Sequence, residues 1–221
     1  MQKNRFTRRF LAVLVLAGAA GLTPAYADIL YSNLGAGGSF DSGSAFNIGQ
    51  IASFTQVIAE SFTTTGSAQF EDAQLALFAY GGTSTDVYLE SDNSGAPGSV
   101  LDTLVEQSPV TGYPGSLITF DCSTCVTLAV STRYWIVAAQ GNGPTAWSYN
   151  NTGDHSGVLF DYTGSITGPF NSNSSITRGA FEVDGSTIAS SVPEPSAIAL
   201  LFTVVGLAGA GLRRKNRQVA L

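Results

Sequence analysis

Cys122-Ser123-Thr124-Cys125 holds both cysteines of the chain, and the C-x-x-C spacing can serve a redox dithiol, half of a metal site or a disulfide. Zinc would want two more ligands, but the chain has one histidine and no further cysteine. A redox dithiol usually opens a helix after a strand, whereas here strand-like LITFD precedes the pair and strand-like VTLAV follows it. These flanks favour a disulfide between Cys122 and Cys125 across a tight turn joining two antiparallel strands, where opposed residues come close enough to bridge.

His155, the sole histidine, follows Asp154 in NNTGDHSG. Nucleophilic catalysis needs such a histidine held by a carboxylate beside a serine in a strained turn. No G-x-S-x-G is present and serines are scattered throughout, so a solvated loop histidine is the expectation. Asp86, Glu90 and Asp92 lie close in sequence, which a solvated strand face explains without acid–base chemistry. Clustered oxygens from Glu90, Asp92 and Asn93 in ESDNSG could attract calcium, but the spacing matches no EF-hand loop. No metal, cofactor or catalytic residue is expected. Trp147 and Tyr149 in TAWSYNN are two apart and project to one face, a pair offered for stacking on a sugar ring. Trp135, inside YWIVAA, reads instead as core.

The elements that must position these residues lie in residues 28–191, the size of one domain with a single core. Short runs rich in Val, Ile, Thr and aromatics alternate with Gly, Pro, Asn, Asp and Ser. Strands are predicted over 57–63, 73–79, 86–90, 117–121, 126–130, 134–139, 158–162 and 180–184. QFEDAQLALFAY has helical propensity, with Glu71 and Asp72 placed for a first turn. Alternation of Ala73, Leu75, Leu77 and Ala79, ended by Gly81-Gly82, assigns it to a strand. Residues 35–50 and 163–179, rich in Gly, Ser and Asn, are expected as long loops. The fold class is all-β, an antiparallel β-sandwich of roughly eight to ten strands, jelly-roll-like.

Within this body fifteen acidic side chains face two arginines, Arg133 and Arg178, for a net charge of −13. Such a surface repels nucleic acid and anionic lipid and favours solubility.

The two ends differ from the body. Residues 1–27 carry Lys3, Arg5, Arg8 and Arg9, an apolar stretch to about Leu22, and Ala25-Tyr26-Ala27 as a small-x-small cleavage site, which reads as a secretory signal peptide. Thr7-Arg8-Arg9-Phe10-Leu11 resembles a twin-arginine export signal without its usual spacer, so export of an unfolded chain is favoured. At the other end, Val192-Pro193-Glu194-Pro195 forms an extended joint before an uncharged apolar segment over 196–212, a transmembrane helix at the short limit for a bilayer. Arg213, Arg214, Lys215 and Arg217 follow, which predicts a cytoplasmic C-terminus and an outward body.

The order of these tail parts over 192–217 resembles the PEP-CTERM sorting signal of Gram-negative bacteria. The resemblance implies recognition by an exosortase, a transpeptidase-like membrane protease, after transient single-pass residence in the inner membrane. Delivery to the cell surface or the exopolysaccharide (biofilm) matrix would follow. Ala59-Glu60-Ser61-Phe62-Thr63, Tyr88 to Asp92 running to Gly95-Ala96-Pro97-Gly98-Ser99-Val100-Leu101, and Leu128 followed by Tyr134-Trp135-Ile136-Val137 are similar to choice-of-anchor β-sandwich domains. That similarity implies an extracellular fold and carries no activity. The expectation is a non-enzymatic exported protein; the alternatives are a carbohydrate-binding module and a secreted hydrolase with an unidentified site.

Overall fold

The structure, a computed structural model, describes residues 27–173 and 175–188. The expected signal peptide up to Tyr26, the expected sorting motif, the apolar tail segment and its basic cluster lie outside the described residues; Ala27 is exposed just ahead of the first strand. Fourteen strands follow in chain order: β1 (Asp28–Ser32), β2 (Asp41–Ile51), β3 (Phe54–Thr63), β4 (Ala68–Ala79), β5 (Thr85–Asp92), β6 (Pro97–Thr103), β7 (Val105–Glu106), β8 (Ser116–Asp121), β9 (Thr127–Leu128), β10 (Arg133–Gln140), β11 (Thr145–Tyr149), β12 (Val158–Asp161), β13 (Asn171–Ser172) and β14 (Phe181–Thr187). The named ladders are all antiparallel, and no helix occurs among the described residues.

A continuous hydrogen-bonded path runs β1-β14-β4-β11-β2-β3-β10-β5-β6. Gly49–Ile51 of β2 pairs with Phe54–Gln56 of β3, which joins the first half of the path to the second. Phe70, Leu75 and Leu77 of β4 share one apolar cluster with Val87 and Leu89 of β5 and Ile136 of β10. The two halves therefore face each other across a common core, as in a sandwich. Ala73, Leu75 and Leu77 are fully buried, so the alternation that assigned this segment to a strand is the core-facing register of β4.

β10 is buried on both faces, because a second cluster of Val57, Ala59, Trp135, Val137, Ala139 and Leu159 lies on the far side of its sheet. Ile166 and Phe170, from the segment between β12 and β13, pack on this cluster. The glycine-rich 163–179 region is thus a strap whose two apolar side chains close the outer face, interrupted only by the two residues of β13. Trp135 is core, but of this outer cluster.

Residues 35–50 are not the expected loop: ten of the eleven β2 residues fall inside them, paired with β11 through Ile48–Thr145, Asn47–Ala146 and Phe46–Trp147. Gly and Ser abound there, but Phe46 and Ile48 alternate on one face and bury completely or nearly so, which outweighs the low strand propensity of the rest.

Candidate functional site

Glu60 occupies β3 between Ile58 and Phe62, and all three face the core. A carboxylate in that register must find a partner, since burying a lone charge is costly. Its partner is Arg178, just ahead of β14: Nε donates to Glu60 Oε2 at 2.9 Å, and both side chains are almost wholly buried. Glu60 Oε1 accepts from the Gly179 amide, and Arg178 Nη2 donates to the Ser61 carbonyl. Arg178 Nη1 donates to Tyr31 Oη at 2.7 Å and to Asp154 Oδ2 at 3.0 Å. The guanidinium lies 5.2 Å from the ring centres of both Tyr31 and Phe181, a cation held against two aromatic faces.

The backbone around this pair is fixed by amides and by one glycine. Asn150 donates to the carbonyls of Asp154 and Arg178, and its Oδ1 accepts from the Thr152 and Asp154 amides. Asn33 spans to Gly179 and Phe181 in the same way. A Cβ on Gly179 would come within 2.7 Å of the Trp147 indole, so only glycine lets the chain pass there.

Burial pushes Glu60 up to about 7, opposed by Arg178 and the Gly179 amide. Burial also works to raise Asp154, but the Ser156 amide and hydroxyl, Arg178 and Tyr31 outweigh it and hold Asp154 below the usual carboxylate range. Tyr31 is raised, chiefly by burial. Asp154 is therefore a fixed negative charge, and Arg178 a fixed positive one.

This network borders a cleft of about 550 Å³. Adjacent pairs on neighbouring strands, Ser61 with Trp135 and Thr63 with Arg133, line it together with Asp154, Ser156 and Arg178. Arg133 is half exposed; its nearest carboxylate, Asp92, is 3.8 Å away, beyond hydrogen-bond distance. Both arginines of the body thus line one cleft. The arrangement can orient a polar ligand through hydroxyls and a guanidinium fork.

The residues singled out in the sequence are placed as follows. Trp147 is fully buried, donates its indole N–H to the Ala180 carbonyl at 2.9 Å and meets Phe181 edge-on, so it cannot stack on a sugar. Its partner Tyr149 is half-buried and packs 4.6 Å from Phe46. The reading of this pair as a sugar platform fails because β11 lies between β2 and β4, with its large side chains turned into the core. His155 is exposed and lies within 3.3 Å of the Thr177 hydroxyl, while Asp154 spends its oxygens on Tyr31, Ser156 and Arg178.

Asp92 accepts from the Trp135 indole at 2.9 Å and from the Gly95 amide, and Asp86 is exposed while Glu90 is buried. Among the described residues no group of three or more His, Cys, Asp or Glu is placed to hold a metal ion.

Cys122 and Cys125 form a disulfide, but the chain does not turn back there. β8 and β9 both pair antiparallel with β4, at Asp72–Leu77 and Ala68–Gln69 respectively, so they are successive stretches along one edge. The disulfide spans an interruption between them. Asp102 fills that interruption, accepting the Ser123, Thr124 and Cys125 amides and the Ser123 hydroxyl.

Sequence reading missed Glu60, Arg178 and Asp102. The signal for the first two was present: a carboxylate at the apolar period of a strand, and one of only two arginines in a body of fifteen acids. Compared with known proteins, the chain matches no family model and no curated protein.

Proposed function

We propose that this chain is a non-enzymatic exported surface protein whose body belongs to the jelly-roll-like β-sandwiches and whose tail is a PEP-CTERM signal read by an exosortase, for delivery to the envelope or exopolysaccharide matrix. The observation that carries the reading is the order of the tail: Val192-Pro193-Glu194-Pro195, an uncharged apolar segment, then Arg213, Arg214, Lys215 and Arg217. The body supports it. β1 begins one residue after Ala27 and β14 ends four residues before Ser191, with β1 and β14 paired, so the sheet uses the chain between the two export signals.

A residue before proline disfavours helix, which for Val192 and Glu194 would leave an extended backbone open to a protease. Native protein should lose residues from about Val192 onward in a host with an exosortase, and Pro193→Ala with Pro195→Ala should accumulate at full tail length. Intact-mass spectrometry in hosts with and without the enzyme tests this; equal native tail length in both would leave only a membrane anchor.

A second reading, a carbohydrate-binding module, is favoured by the hydroxyl-bearing cleft that both body arginines line.

A further inference from the structure

Resting on the carbohydrate-binding reading, we propose that the cleft bordered by Arg133 and Ser156 takes a saccharide unit bearing a single carboxylate. In a body of net charge −13, Arg133 is the only cation with an exposed side chain among the described residues, since Arg178 is enclosed by Glu60 and Asp154. The Arg133 side chain makes no hydrogen bond among the described residues, and Asp92, at 3.8 Å, already accepts from Trp135 and Gly95. Its planar fork is left with its donors available, and the geometry such a fork reads best is a carboxylate.

The rest of the cleft suits the sugar ring. Thr63, beside Arg133 in the β3–β10 pairing, and Ser156 supply hydroxyls, and the pair of buried Arg178 with partly exposed Asp154 sets a fixed dipole at the same opening. A cleft of about 550 Å³ is of ordinary ligand-site size. The surrounding acids set the limit on charge. A densely charged polyuronate brings repulsion from the whole body on every sugar, whereas one carboxylate engages the Arg133 fork directly and meets that repulsion with a single charge.

The test uses the full chain in detergent micelles and isothermal titration calorimetry with three probes: a glucuronate-terminated disaccharide, the glucose-terminated disaccharide of the same linkage, and a polyuronate. The glucuronate probe should bind at least tenfold more tightly than the glucose probe, and the polyuronate should bind weakest per sugar unit at low salt. Arg133→Ala should remove the difference between the two disaccharides, and Arg133→Lys should restore it only in part. Arg133 is half exposed, so an unchanged melting temperature verifies that the variants are folded. Equal binding of the two disaccharides overturns the carboxylate assignment and keeps the saccharide reading. No binding of any probe overturns both, and a difference that survives Arg133→Ala overturns the role of Arg133.

Discussion

Glu90 has no exposed surface, and neither of its carboxylate oxygens has a hydrogen-bond partner among the described residues. Burial pushes it up to about 7. The folded state therefore holds this proton more tightly than the unfolded chain does. The contribution of Glu90 to stability is intact at low pH and falls as pH rises from the ordinary carboxylate range through about 7, where a charge is stranded. Glu90→Gln keeps the shape without the ionisation. It should exceed the native chain in stability at pH 8 by at most about 3 kcal/mol, with the gain vanishing near pH 4. Urea unfolding at pH 4, 6 and 8 reads this directly, and a gain of equal size at all three values would refute the assignment.

At the scale of the element, the interruption between β8 and β9 is held twice, by the disulfide and by Asp102. The disulfide closes only a three-residue separation, so chain entropy gives it about 2 kcal/mol at most. Burial works to raise Asp102, but the Ser123 hydroxyl and the Thr124 and Cys125 amides outweigh it, and its pKa lies below the usual range. Reduction of the disulfide should therefore leave the body folded. Asp102→Ala should cost more, because several amides lose their acceptor at a buried site. Melting temperatures of the reduced native chain and of oxidised Asp102→Ala decide the order; a larger fall on reduction would contradict it.

The same element shows what sequence could tell. LITFD and, within VTLAV, Thr127-Leu128 are strands because their apolar periods are real, and the C-x-x-C pairing follows from there being two cysteines. That β8 and β9 share a neighbour, rather than each other, depends on β4 lying alongside both, a long-range fact with no local signature. β11 was missed for a similar reason: TAWSY is short, and only its place between β2 and β4 makes Trp147 core. β6, in PGSVLDT, follows a turn and is half exposed, which hid its period.

For the whole molecule, the expected processing site meets the sheet without a gap. Cleavage after Ala27 leaves Asp28 as the first residue, and Asp28 already pairs with Gly185. N-terminal sequencing of the envelope form should begin at Asp28. A start beyond Ser32 would strip β1 from β14, and retention of Met1 would contradict removal of the leader.

β14 is also the strand from which the chain leaves the body, and it is not at the rim. β1 flanks it on one side and β4 on the other, the latter from Leu75 to Ala68. The N-terminal strand thus acts as a brace: freeing β14 means breaking hydrogen bonds to two neighbours, whereas a rim strand has a single ladder to lose.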